Sequence, residues 1–260
     1  GVLTLSAVIL CAALGPHMAP YQRGDADVSE QLQAPSAQHL LGTGENGEDV
    51  LTEIIYGARV AMIVGLGAVL FSMILGVTLG SISGYFGGWV DEIVMRVTEV
   101  MLSFPGILLA ILIIFITQEP SVVTVIGALC VTGWAGYARL VRGQVLVERQ
   151  KPYVEAARSL GLSNARILAR HVVPNVMGPV IVQATFGVAS AILAEAALSF
   201  LGLGPQDTAS WGALLDQGAS YFLISEHLAL FPGLAIMLTV LSINFVGDAL
   251  RDHLDPRTES

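Results

Sequence analysis

Charge is scarce in this 260-residue sequence: 13% of its residues are Asp, Glu, Lys or Arg, whereas 54% are hydrophobic. A soluble domain carries about 25% charged residues, so a freely soluble globular protein is excluded and a membrane chain remains. Lysine occurs once, at Lys151, and Pro152 follows it. A phosphate-cradling loop needs glycines followed by Lys and then Ser or Thr, which excludes an ATPase site of that kind within the chain. Cysteine is limited to Cys11 and Cys130, both in apolar runs. A small packing residue is the expected role there, and neither a disulfide nor a metal pair is assigned. GxSxG and HExxH arrangements are missing too, so an intramembrane hydrolase built on Ser199 near Glu195, on His171 or on His227 has no supporting motif. No basic patch points to nucleic acid, because the net charge of -9 arises largely from the acidic segment 15–56.

What the chain does have is long uncharged runs, at 60–82, 100–118, 120–138, 172–194 and 228–247. Each approaches the roughly 20 residues that a bilayer-spanning helix needs. Residues 1–14 are also apolar, but at about 1.5 Å rise they reach only about 21 Å of a core roughly 30 Å thick. Because the chain begins at Gly1 rather than Met, this run is read as a first span whose beginning is missing. The competing reading is a cleavable secretory signal, against which stand the lack of a preceding basic segment and the five spans that follow. The expectation is an all-α membrane protein with six transmembrane helices in one domain, 1–260. The expected spans are about 1–14, 58–83, 92–117, 120–141, 174–201 and 228–249.

Seven of the twelve Lys and Arg residues lie between Arg139 and Pro174, and Arg96, Arg251 and Arg257 fall on the same face. Only Arg23 and Arg59 fall on the other. Basic residues are retained in the cytoplasm, so the segment 151–173 is predicted to be cytoplasmic, while 15–56 and 202–227 face outward. Within 151–173, Pro152 suits a first helical position and Gly161 breaks the run. Ser163 is placed to cap a second helix, Asn164 to Val172, which Pro174 ends. Ala156 and Ala157 leave little side chain on one face, so a partner surface can approach the backbone. Glu155 and Arg158 can support each other or reach across an interface. The bland alternative is a solvated loop whose basic residues only enforce topology.

Glu155-Ala156-Ala157, then Gly161 four residues after Ala157 and Pro174 thirteen after the glycine, resembles the EAA motif of permease subunits in bacterial ATP-binding-cassette importers. The stretches LGTGENGEDVLTEIIYGAR (41–59), GYFGGWVDEIVMRVTEVMLSFP (84–105), AEAALSFLGLG (194–204) and FPGLAIMLTVLSINFVGDALRDHLDP (231–256) look like the C-type permease of the dipeptide, oligopeptide and nickel branch. The resemblance implies a type I importer permease fold of the MetI-like kind. In it 151–173 is a coupling hairpin docking on an ATPase, and Glu155, Ala156, Ala157, Arg158 and Gly161 form the docking surface.

It further implies a multi-pass protein of the bacterial cytoplasmic (inner) membrane that is not itself an enzyme and binds no cofactor. ATP and Mg2+ are expected on two partner ATP-binding subunits. A second permease subunit would complete a heterodimer in the lipid bilayer, and an extracytoplasmic binding protein would deliver di- or oligopeptide, or alternatively nickel or a metal chelate. Departures are present: Gly44 and Glu48 replace the acid and base of the outer LGTD-x-x-GRD stretch, and His171 and Val173 stand where the general motif has isoleucine and leucine.

A channel would want repeated pore-lining polar residues or a filter loop, whereas these spans carry scattered Gly, Ser and Thr of the kind that allow close helix packing. Glu195 is the ionisable residue deepest in a predicted span. Such a group faces the bundle interior or an aqueous cavity, which leaves two readings: it lines the translocation path, or it is a hydrogen-bonded packing residue. Trp89, Trp134 and Trp211 are expected near membrane boundaries or on loops.

Overall fold

The computed structural model describes residues 1–254, and all its long elements are helices. They are α1 (Val2–Met18), α2 (Val50–Phe86), α3 (Gly88–Ser103), α4 (Gly106–Thr117), α5 (Val122–Glu148), α6 (Pro152–Ser159), α7 (Asn164–Ile167), α8 (Val173–Phe200), α9 (Trp211–Ser220) and α10 (His227–Leu254). Four helical runs are long and apolar enough to cross a membrane: α2, α5, the continuous run Asn164–Phe200, and α10. The bent pair α3–α4 makes a fifth if it counts as one span, and Val2–Gly15 is a shorter apolar helix, a set compatible with six crossings. Arg257 and the Asp255-Pro256 end of the last matching stretch lie outside the described residues.

Over the expected span 92–117 the chain makes two helices bent by 87°. Pro105 disfavours helical backbone at the residue before it, and Phe104 is extended at φ -92°, ψ 137°. The uncharged run 100–118 hides this break from a hydropathy reading. The segment expected at 15–56 is also shorter, because α1 runs on to Met18 and α2 starts at Val50. At 37 residues, α2 is about 55 Å long and overshoots a hydrocarbon core of about 30 Å.

The bundle is organised on α2 and α5, which approach through Gly76, Gly80 and Gly84, spaced one per four residues on one face of α2. A Cβ on Gly76 would lie 2.6 Å from the Trp134 carbonyl oxygen, one on Gly84 2.9 Å from that of Arg142, and one on Gly80 would collide with that of Ala138. Small residues at such spacing let helix backbones approach in a membrane, where packing rather than hydrophobicity drives association. Ala135 and Ala138 on the α5 side are fully buried. Trp134 lies in the same contact, and Trp211 is buried with its indole N–H donating to the Ile54 carbonyl at 2.9 Å. Of the three tryptophans, Trp89 alone is exposed as the boundary reading expects; the other two fill helix–helix contacts that their places along the chain do not reveal.

At the hairpin end, Arg142 binds Asp91 bidentately, Nε to Oδ1 and Nη2 to Oδ2, both at 2.6 Å. Arg149 donates to the Gly84 and Tyr85 carbonyls at 2.8 and 3.0 Å. Two of the arginines counted for topology therefore also close the α2–α3 turn, where Gly87 and Gly88 take φ of +66° and +59°.

The segment between α1 and α2 is clasped by His39. Its Nδ1 meets Asp49 Oδ1 at 3.0 Å and its Nε2 meets Glu30 Oε2 at 3.1 Å, while Tyr21 stacks on its ring at 4.9 Å. Asp49 uses its other oxygen to cap α2, accepting from the Thr52 N–H and hydroxyl at 2.8 Å. Burial opposes the charged imidazole, but the bonds to Asp49 and Glu30 outweigh it and raise the His39 pKa above its ordinary 6.5. A raised folded-state pKa gives stability that is complete below about 6.5 and fades as pH climbs through the raised value. Hydrogen exchange of residues 25–49 should accordingly speed up across that window in the native protein and show no such step in His39→Gln; a step that survives the substitution places the titrating group elsewhere.

The paired departures at Gly44 and Glu48 also meet here. Glu48 Oε2 accepts the Asn46 N–H at 2.9 Å, and its carboxylate fills the space that a side chain at 44 would need. Replacing the acid by glycine thus makes room for the glutamate that replaces the base.

Candidate coupling site

The hairpin is built by two helix ends. Pro152 opens α6. The helix closes with the Leu162 N–H bonded to the Ala157 carbonyl at 3.2 Å and the Gly161 N–H to that of Arg158 at 2.9 Å. This is a Schellman closure, which needs left-handed backbone after the cap, and Gly161 supplies it at φ +79°. Ser163 occupies the next N-cap position but its side chain makes no capping bond.

The second helix does not end at Pro174. It passes from α7 through a π-helical turn, Leu168–Val172, directly into α8. Proline lacks the N–H that an ordinary helix would donate to the carbonyl four residues back. The wider turn, closed by the Val173 N–H to the Leu168 carbonyl, lets the chain continue past that gap. The His171 carbonyl accepts from Asn175 Nδ2 at 2.7 Å.

Helical phase divides the expected docking residues. Glu155, Ala156, Arg158 and Gly161 are exposed, whereas Ala157 is 8% exposed and packs with Val141, Val145, Val154 and Ile167. Ala157 therefore seats the hairpin on its own bundle, and Ala156 is the small residue that faces out. Leu160, at the tip, is 81% exposed; sequence reading passed over it, although an apolar residue between Ser159 and Gly161 on a polar hairpin was the available signal. Glu155 and Arg158 form no ion pair among the described residues. Arg158 lies over the Tyr85 ring at 5.4 Å, within cation–π range.

A polar knot ties the hairpin to the long helices. Tyr153 donates its hydroxyl to Glu148 Oε1 at 2.8 Å and accepts from Asn175 Nδ2 at 3.2 Å. Lys151 Nζ lies 2.7 Å from Glu148 Oε2. Residues at the end of α5, in α6 and at the start of α8 are thus linked, so a displacement of α6 bears on both spans.

Glu195 is far from this surface and 1% exposed. Ser199 and Ser210 both donate to its Oε1, at 2.7 and 2.8 Å. Ser210 is the N-cap of α9 and accepts the Gly212 N–H at 3.1 Å. A Cβ on Gly212 would strike the Ala196 carbonyl, so glycine lets α9 come against α8 and the carboxylate stands at the α9 N-terminus, where the helix dipole favours negative charge.

A family model described as binding-protein-dependent transport system inner membrane component matches residues 76–260. The dipeptide transport system permease protein DppC of Alkalihalophilus pseudofirmus is 41% identical over 261 residues, covering 100% of this chain and 86% of that protein. DppC of Bacillus subtilis is 42% identical over 259 residues, covering 99% and 81%. The glutathione transport system permease protein GsiD of Pectobacterium atrosepticum is 40% identical over 261 residues, covering 100% and 85%. Among solved structures, a chain from the inward-facing MetNI methionine ABC transporter aligns with a TM-score of 0.65 at 18% identity, covering 79% of this chain and 97% of that one. At that identity the likeness is one of fold.

Proposed function

This chain belongs to the family of binding-protein-dependent transport system inner membrane components, and we propose that its importer carries di- or oligopeptides and draws energy from separate ATP-binding subunits seated on the α6 hairpin. The chain is a multi-pass inner-membrane permease of an ABC importer. The observation that supports the coupling reading is the outward face formed by Glu155, Ala156, Arg158, Leu160 and Gly161 on a hairpin tied to α5 and α8 by Glu148, Tyr153 and Asn175.

The assembly has a second permease subunit facing this one, two ATP-binding subunits that hold ATP and Mg2+, and an external binding protein that delivers cargo. This chain holds no cofactor of its own, and no nucleic acid is involved. When the partner ATPases close, α6 moves with them and the knot at Glu148 carries that movement into α5 and α8. The permease halves then rock between inward-open and outward-open arrangements.

Peptide is favoured over nickel or a metal chelate because the similar permeases are named for dipeptide, oligopeptide and glutathione transport. In cells deleted for the chain, uptake of a labelled dipeptide should fall and return on complementation while nickel uptake stays unchanged. The reverse pattern would establish the metal reading.

Glu195 belongs in this account as the clamp that holds α9 on α8. Glu195→Gln keeps an acceptor for both serines and should assemble and transport near the native level. Glu195→Leu strands two buried hydroxyls at about 1–3 kcal/mol each and should reduce recovery of the complex in co-purification. Loss of uptake in Glu195→Gln with assembly intact would instead place the charge in the translocation path.

A further inference from the structure

A groove runs along the face shared by α5 and α8 in two compartments that meet at Gln183 and Phe186. The compartment toward the hairpin has a volume of about 780 Å3 and carries charge, with Glu148, Lys151 and Arg251 on its walls. The inner compartment, about 310 Å3, is lined by Ser72, Thr132, Tyr137, Gln183 and Ser190 with small and apolar neighbours, and no charged residue borders it. Thr132 is ten residues into α5, and Gln183 ten into α8 from the opposite end. Both therefore lie about 15 Å along their helices, near the middle of a bilayer core.

One group there is unexplained by packing. Tyr137 is 5% exposed and its hydroxyl has no hydrogen-bond partner. A Cβ at Gly187 on α8 would come within 2.5 Å of that oxygen, so glycine at 187 leaves the hydroxyl room. A buried hydroxyl without a partner costs about 1–3 kcal/mol, a cost that a hydrogen-bonding group entering the groove would remove. Gln183 and Ser190, on the same wall, are exposed; Gln183 offers both donor and acceptor, and Ser190, whose hydroxyl donates to the Phe186 carbonyl at 3.0 Å, offers an acceptor. A groove of this size falls within the roughly 300–1,000 Å3 of small-ligand sites.

We propose that Tyr137, Gln183 and Ser190 form a neutral station that hydrogen-bonds the main-chain amides of a peptide in transit. The inference rests on the peptide reading above and adds the place and the chemistry. Peptides differ in side-chain charge but share their amides. Neutral groups that donate and accept can engage every member of the class, whereas a fixed charge at mid-depth would hold one sign of cargo and repel the other. The charged compartment beyond Phe186 is larger, about 780 Å3 against about 310 Å3, so a peptide leaving the station enters a roomier space.

The test uses the complete importer in proteoliposomes with three labelled dipeptides of net charge +1, 0 and -1. Tyr137→Phe removes the stranded hydroxyl, so the thermal midpoint should stay level or rise while uptake of all three peptides falls about tenfold. Gln183→Glu places a charge on an exposed position and should raise the ratio of cationic to anionic uptake at least about fivefold. Native uptake by Tyr137→Phe together with an unchanged ratio in Gln183→Glu overturns the station while leaving the peptide reading in place. Failure of the native importer to take up any of the three peptides overturns both.

Discussion

Gly80→Val should strongly destabilise the folded permease. A Cβ at this position collides with the Ala138 carbonyl oxygen, a backbone atom that cannot rotate aside as a side chain would. Overpacking a tight core costs typically 1–3 kcal/mol. With backbone on both sides the expectation is the upper end, about 3 kcal/mol, or roughly a hundredfold in the folding equilibrium. Gly127→Ala is the matched control, because no atom beyond its own turn of helix lies within 4 Å of where a Cβ would stand and alanine favours helix by about 1 kcal/mol over glycine. Thermal midpoints in detergent should separate the two, with Gly80→Val depressed and Gly127→Ala level or raised. Equal midpoints would mean that the glycine stripe does not set the α2–α5 distance.

The second large effect separates two adjacent alanines. Ala156→Arg adds a side chain to the exposed face of α6, so the protein should fold and co-purify with its permease partner. On the proposed coupling role of α6, peptide uptake and transport-coupled ATP hydrolysis should each drop at least about tenfold, because the added side chain would keep the ATPase off that face. Ala157→Arg drives a guanidinium into the cluster of Val141, Val145, Val154 and Ile167, where an unpaired charge costs several kcal/mol. Its expected signature is loss of folded protein rather than loss of coupling. The opposite assignment of phenotypes would mean that α6 is turned the other way.

That contrast marks the boundary of what the sequence can show. Spans are legible because a bilayer demands long uncharged runs, and Gly161 is legible because glycine after a short helix supplies left-handed backbone. The facing of Ala157 depends on the phase of α6 against α5, and no local pattern in an eight-residue helix sets that phase. The bond from Arg142 to Asp91 joins residues 51 apart, so the count of basic residues gave Arg142 a side of the membrane but not its partner. For Glu195 the position along α8 was readable and the rotation was not; the serines that bind it lie 4 and 15 residues away. The break at Phe104-Pro105 is the reverse case, a local signal overridden by the apolar run around it. Gly44 and Glu48 read as two separate departures until the fold puts the glutamate side chain into the volume that the glycine leaves.

The central claim is that the outward face of α6 is where the ATPase acts on this permease. Photo-cross-linking from Leu160→Cys, labelled with a benzophenone in the complete membrane complex with Cys11 and Cys130 replaced by alanine, tests it most directly. The account predicts a covalent adduct with an ATP-binding subunit, and loss of peptide uptake once the adduct forms. An adduct with the external binding protein, or no adduct and undiminished uptake in the labelled complex, would contradict it.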